Sequence, residues 1–540
     1  MADEESSASS SDPAELLEAA LGDPAELLEA ASDFAHHPGA HSDAAVKEFL
    51  DRFPLPVIIY ALQTKGDVPG LEDTLVACLE RIFRTKHGAS LIPHHMPFVV
   101  VGLEAFSQKV RCIACKTVSC LLENFDETNV SATQLLVEYD VYPLLFKCLI
   151  YGDEEVAAAA MDAIRKFATS AGGLAVIFPS NADKATHLCN LSKRCSSLGR
   201  IRILALLVKL FSASKAVACM IYKSNLLIQM EARLSHMNDM LETLSVLELF
   251  YELAEVEHST EFLSRTQFLQ RLGSLISNAS VEPILRARAM MIAGRLMSKA
   301  NVFMFVDESS VKALISAIDG TLGCSENQDA DESECALEAL GQIGTTIQGA
   351  TLVLISQPPA ARHVIHFAFD RHGRGKQLAA LHALGNIVGE TRSENDRMLN
   401  VDAEESLRLL IYETASRSPK LTPSGLFLSV LQQESEFRIA VYRLMTGLVA
   451  RPWCLTEICS RQEIISIVAD TFTETAKIGM EARHSCCQAI LKALSLSPKL
   501  ASDPSISGLA AKLDEAVKRG PYLARRHPEA QPAVMTAERF

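Results

Sequence analysis

One helical pattern, with apolar or small residues at i, i+3, i+4 and i+7, returns nine times along this chain, and that recurrence limits the fold more than any other feature. The copies read VRCIACKTVSCLLEN from Val110, VAAAAMDAIRKFATS from Val156, IRILALLVKLFSAS from Ile201, LETLSVLELFYELAE from Leu241 and LRARAMMIAGRLMSK from Leu285. They continue with CALEALGQIGTTIQG from Cys335, KQLAALHALGNIVGE from Lys376, FRIAVYRLMTGLVAR from Phe437 and ARHSCCQAILKALSL from Ala482. Successive starts lie 46, 45, 40, 44, 50, 41, 61 and 45 residues apart. Armadillo and HEAT units repeat every 40 to 47 residues or so. The interval of 61 marks an insertion or an irregular repeat.

The spacing therefore predicts an all-α, armadillo/HEAT-like helical-repeat solenoid. Residues 43–519 form it, residues 1–42 are an acidic, largely disordered leader, and residues 520–540 are a disordered tail. The shorter apolar runs between copies, such as SATQLLVEYDVYPLLFKCLI, read as the remaining helices of each repeat. Aromatics are scarce at 6%, with one Trp, which fits packed helices better than sheets. Glycines inside the recurring helix, Gly294, Gly341, Gly344, Gly385 and Gly447, each cost up to about 1 kcal/mol of helix propensity. Gly294, Gly341 and Gly385 share one phase, and close approach of neighbouring backbones would offset that cost.

The leader carries a tandem duplication, DPAELLEAA at Asp12–Ala20 and again at Asp23–Ala31. Each copy is built to start a helix, with an Asp cap, Pro at the first position and a Glu (Glu15, Glu26) where a capping-box carboxylate belongs. From Met1 to Val46 there are 11 acidic residues and no Lys or Arg, so the rest of the chain holds only −15 + 11 = −4 of the net charge. The segment reads either as an acidic docking arm or as a solvated leader, and the second reading is preferred. A nearly neutral body offers no basic footprint for nucleic acid. No apolar run approaches the 18 to 20 or so residues of a membrane span, and the cysteines of a long chain with no signal sequence read as free thiols. The expectation is a soluble protein of the cytoplasm or also the nucleus, monomeric and without cofactor.

A surface for function follows from helix phase. If Leu381, Leu384 and Ile387 pack inward, His382 and Asn386 share the adjoining face four positions apart. The same phase pairs Lys116 with Cys120, Asp162 with Lys166, Ala205 with Lys209, and Glu248 with Glu252. Further along it pairs Met291 with Arg295, Glu338 with Gln342, Tyr442 with Thr446, and Gln488 with Lys492. The ladder is chemically mixed and lacks regular Trp. It suits a domain-sized ligand with patchy complementarity rather than one basic peptide.

Catalytic and metal signatures do not assemble. Cys112, Cys115 and Cys120 lie in one helical pattern without a second zinc-type pair, and Cys486 and Cys487 point apart. His36, His37, His94 and His95 sit beside prolines without an acidic partner at helical spacing. In RHGRGKQ the phosphate-loop spacing is missing, and Arg371, Arg374 and Lys376 read as a contact patch at a turn. The chain is read as a non-enzyme.

Two ends of the sequence carry a family likeness. AALHALGNIVGE resembles the last helix of an armadillo repeat, in which this face lines a concave groove. RPWCLTEICSRQEIISIVADTFTETAKIGMEARHSCCQAILKAL with RGPYLARR is similar to the C-terminal end of the 26S proteasome non-ATPase regulatory subunit 5 family. DPAELLEAASDFAHHPGAHSDAAVKEFLDRFPLPVIIYALQTK resembles the plant-type branch of that family. The resemblance implies an assembly chaperone of the proteasome regulatory-particle base. Such a protein would hold the C-terminal domain of ATPase regulatory subunit 7 within a precursor that also contains ATPase regulatory subunit 4 and non-ATPase subunit 2. It would leave before the mature proteasome forms. The alternative is an armadillo-type adaptor or scaffold for extended peptides.

Overall fold

The structure is a computed structural model of the full chain. It describes residues 13–65, 67–124, 132–170, 172–178, 194–234, 239–323, 329–497 and 504–522. Among these the elements are α-helices and short 3₁₀ turns, without a strand. Two compact units divide the chain, residues 1–233 and 234–540.

Eight of the nine recurring patterns have one long helix as their body, the copy from Cys335 runs past its helix end at Ile343 into Ile347–Ile355, and two further helices of the same kind precede them. We number these long helices α1 (Pro24–His36), α2 (Leu71–Phe83), α3 (Gln108–Asn124), α4 (Glu154–Thr169) and α5 (Ser197–Ala213) in the first unit. The second unit holds α6 (Met240–Glu255), α7 (Pro283–Met297), α8 (Ala330–Ile343), α9 (Arg374–Val388), α10 (Ser435–Leu448) and α11 (Lys477–Ser495). Within each unit consecutive members pack side by side. The other helices between them form a second layer, as where Met96–Glu104 and Val141–Tyr151 pack on each other and on α3 and α4 respectively. Each unit is thus a stack of armadillo/HEAT-like repeats.

Local chemistry sets the helix starts. Asp153 accepts the Val156 amide at 2.9 Å, and Asp239 accepts those of Leu241 and Glu242 at 2.9 and 3.1 Å, satisfying donors that a helix N-terminus leaves open. Proline opens α1 and α7, where its missing N–H costs nothing. Burial then follows the predicted period: Leu381, Leu384 and Ile387 of α9 are fully buried, as are Ala336, Leu337 and Leu340 of α8.

Two of the three in-phase glycines behave as expected. A methyl at Gly294 would meet the Ala339 Cα at 2.8 Å, and one at Gly341 the Ala383 Cα at 2.6 Å. These are backbone contacts across α7–α8 and α8–α9 that a side chain would force apart. Gly385 differs, because nothing lies within 4 Å of the space its side chain would fill.

Several seams between neighbouring helices also hold buried charge. Arg286 of α7 bonds Glu332 of α8 twice, at 2.6 and 2.8 Å. Arg451, 1% exposed, reaches Glu404 at 2.7 and 2.9 Å and the Gly447 carbonyl at 3.0 Å. Arg438 of α10 bonds Glu474, itself 1% exposed, at 2.5 Å.

Packing begins earlier than the expected boundary at residue 43. Pro24–His36 is helix α1, its Leu27 and Ala31 are fully buried, and it packs on α2. Residues 1–12 and most of the expected tail, 523–540, lie outside the described residues.

Candidate partner-binding face

The predicted face gathers its residues separately in the two units. In the first, α2, α3 and α4 line a cavity of about 770 Å³ that brings together Lys116, Asp162 and Lys166 with Glu80, Arg84, Cys120 and Glu123. The charges close on one another across the seams. Lys116 Nζ lies 2.7 Å from Glu80, and Lys166 Nζ lies 2.6 Å from Asp162 and 2.8 Å from Glu123. Ser119 donates to Asp162 at 3.2 Å. Burial works against the charged form of both lysines, but the bonded carboxylates outweigh it and hold each pKa above the usual lysine value. Burial likewise opposes ionisation of Asp162, and Arg165 and Lys166 outweigh it to lower its pKa. Lys209 of α5 is exposed.

In the second unit the face centres on an aromatic ring between two guanidinium groups. Tyr251 of α6 has Arg288 over its ring at 3.6 Å from the centroid and Arg295 at 3.8 Å, both carried by α7. Arg288 pairs with Glu248 and Arg295 with Glu255, each carboxylate lying one turn from the tyrosine along α6. Glu252 is exposed beside them, and Met291 lies half-buried between the two arginines on α7. On α8, Gln342 donates to Glu338 at 3.1 Å. On α9, His382 is exposed and Asn386 half-buried. Crowding by the packed face, and secondarily the Arg443 charge, lower the His382 pKa. Gln488 and Lys492 of α11 are exposed, with Lys492 paired to Glu394 at 2.5 Å.

The face is therefore mixed in sign, alternating over α6, α7 and α8 and turning basic at α10 and α11. Glu248, Glu252 and Glu255 on α6 are followed by Arg288 and Arg295 on α7, Glu338 on α8, His382 on α9, Arg443 on α10 and Lys492 on α11.

Tyr442 corrects the expected ladder. It is fully buried, and its hydroxyl donates to Glu474 at 3.4 Å. Burial raises its pKa, with the Glu474 charge adding to the effect. The residue that α10 presents to solvent is its neighbour Arg443. Phase reading also passed over Tyr251 and Arg288, whose pairing across a seam joins residues 37 apart in the chain and has no local signal.

Other sequence candidates are absorbed by structure. Arg374 pairs with Glu434 and Glu436, Arg371 donates to the Ser429 carbonyl at 2.7 Å, and Lys376 sits 6.0 Å from the Phe367 ring centre, so the turn patch ties α9 to the following repeat. Cys112, Cys115, Cys486 and Cys487 are buried. No group of three or more His, Cys, Asp or Glu placed to hold a metal occurs among the described residues. None of their helices is long and apolar enough to cross a membrane. The groups this face offers are paired charges, amide donors and one clamped aromatic ring, which are the groups of a protein interface.

Residues 72–538 match the family described as proteasome non-ATPase 26S subunit. The 26S proteasome non-ATPase regulatory subunit 5 of Bos taurus and that of Homo sapiens are each 19% identical over 467 residues, covering 86% of this chain and 87% of the relative. The Mus musculus protein of the same name is 18% identical over the same span. Among solved structures, an engineered protein aligns with a TM-score of 0.39 at 14% identity, over 81% of this chain and 98% of its own. A designed armadillo repeat protein in complex with the peptide (KR)4 aligns with a TM-score of 0.37 at 13% identity, over 48% of this chain and 98% of its own. With its match extending over most of its length, the chain belongs to the family of proteasome non-ATPase 26S subunits.

Proposed function

We propose that this protein is a non-catalytic assembly chaperone of the 26S proteasome regulatory-particle base. It holds the C-terminal domain of an ATPase subunit on the face built by the long helices and leaves before the mature proteasome forms. The client is ATPase regulatory subunit 7, within a precursor that also carries ATPase regulatory subunit 4 and non-ATPase subunit 2. The protein acts as a monomer in the cytoplasm and nucleus. The observation that carries this reading is the mixed sign of the face from α6 to α11 around the Tyr251 clamp, which suits a folded domain with patches of both charges. A groove for one basic peptide would be acidic throughout. The sole Trp, Trp453, stands on Pro452–Cys459 with its ring 5.7 Å from Tyr412 and is not carried by any of α1 to α11, which weighs against the adaptor reading. Because the face's own ion pairs must open to admit a client, binding is modest enough for later displacement.

Affinity purification of the full chain at low salt tests the proposal. Free regulatory subunit 7 and its two precursor partners are expected to co-purify, and the mature proteasome is expected to lack the chain. Charge reversal at Glu248 and Glu252 should reduce capture. A stoichiometric presence in mature particles would overturn the chaperone reading, and unchanged capture by the reversed variant would remove α6 from the interface.

A further inference from the structure

We infer that the duplicated DPAELLEAA segment is the N-terminal cap of the repeat stack: it seals the end of the first unit in cis and prevents that apolar end from associating with a second copy. The two copies share nine residues and then diverge, and the divergence decides their shape. After the first comes Leu21–Gly22, where Gly22 takes φ +61° in open space, so the helix Pro13–Leu21 stops. After the second comes Ser32–Asp33–Phe34, with no glycine, and α1 runs on to His36. The result is a helical hairpin with unequal arms.

Each arm covers one layer of the stack. Pro13–Leu21 packs on Leu55–Thr64, and α1 packs on α2, which also contacts α3, Leu55–Thr64 and Lys86–Leu91. Leu71, Leu75, Cys78, Leu79, Ile82 and Phe83 of α2 are all buried and, at i, i+4, i+7, i+8, i+11 and i+12, form one apolar stripe that α1 helps to cover. Leu27 and Ala31 are fully buried in the seam, and the Phe34 ring stacks 3.9 Å from His41 and 4.5 Å from Phe49. Polar ties close its rim. His41 Nε2 bonds the Phe34 carbonyl at 2.7 Å, Arg81 donates to the Gly39 carbonyl at 2.6 Å, Arg52 pairs with Glu26 at 2.7 Å and Lys65 with Glu18 at 3.0 Å.

The outward side is built differently. Ala25, Glu26, Glu29 and Asp33 of α1 are exposed, in a stretch that contains no Lys or Arg. Stacked repeats need a terminal unit that is apolar inside and polar outside, since an uncovered end repeats the surface that its neighbours use to stack. Glu29 and Asp33 keep that face negative beside the Glu26–Arg52 pair, and like charge repels its own copy. The family match begins at residue 72, inside α2, so this hairpin lies outside the matched region.

The test uses the full chain, a Leu27→Asp/Phe34→Asp double variant and a deletion of residues 1–41, compared by sedimentation velocity and hydrogen exchange. The full chain should sediment as one concentration-independent monomer. Both altered proteins should self-associate as concentration rises and exchange about tenfold or more faster in 55–64 and 71–83, with 435–495 unchanged. Should neither fold, full-length Leu27→Ala should show the same local loosening in smaller measure, and Leu27→Met should abolish it. Unaltered exchange and sedimentation would overturn the proposal. So would a full-length dimer that becomes monomeric on deletion, because the hairpin would then be covering a second copy.

Discussion

Gly341 lies against Ala383 so closely that a methyl group added to it would stand 2.6 Å from the Ala383 Cα. The obstruction is backbone, so α8 and α9 would have to separate. Gly341→Ala should therefore destabilise the protein by about 1–3 kcal/mol, and Gly294→Ala similarly. Gly385→Ala, with room around it, should stabilise by up to about 1 kcal/mol through helix propensity. Urea midpoints of the three variants check this, and a common sign for all three would contradict it.

Glu474 is expected to be the costliest single carboxylate to remove. It is 1% exposed and accepts from Arg438, Ser435 and Tyr442. Glu474→Ala strands a half-buried guanidinium and a buried phenol, for a loss of up to about 3 kcal/mol. Adding Arg438→Leu to it should cost less than the sum of the two single changes, measured as a double-mutant cycle.

Lys299 predicts a pH dependence. Its ammonium donates to the Val256 carbonyl and to Ser259, yet burial, only partly countered by Glu257, brings its pKa down to about 8. Between pH 8 and the ordinary lysine value the unfolded chain binds more protons than the folded one, so this group's contribution to stability rises with pH across that window. Its unfavourable part is fully present below pH 8. Compared with Lys299→Met, the wild-type midpoint should gain stability from pH 8 to 10; parallel curves would refute the assignment.

Thiol accessibility should divide the cysteines. Burial pushes Cys78 up to about 12 and Cys459 and Cys487 up to about 11, whereas Cys120, Cys195, Cys219 and Cys335 are only half-buried. Brief alkylation of the native protein at pH 8, read by peptide mass spectrometry, should mark members of the second group first. Early modification of Cys78 would contradict the packing of α2.

Features written in local periodicity were legible in the sequence. The nine long helices, the inward Leu381, Leu384 and Ile387, and the tight glycines 294 and 341 follow from spacing alone. Tyr442 was misplaced because its hydroxyl is satisfied by Glu474, thirty-two residues further on in a link between helices, and no helix-phase rule sees that partner. Gly385 shares the phase of its two counterparts without sharing their neighbours. The leader was set aside on charge and composition, and those describe its outer surface while Leu27, Ala31 and Phe34 describe its inner one.

The buried arginine pairs carry a consequence for how such a protein can change. Arg286 and Arg438 stand at the same place in the recurring pattern, second from its start, but their carboxylates do not: Glu332 lies inside α8, Glu474 precedes α11, and Arg451 takes Glu404 from Val401–Arg417. A repeat moved to another slot, or duplicated in place, would bring a charge to a seam with no matching socket and leave it stranded in the core. The order of modules along the second unit is accordingly non-interchangeable: this lineage can drift along its exposed faces, but it cannot readily shuffle its parts.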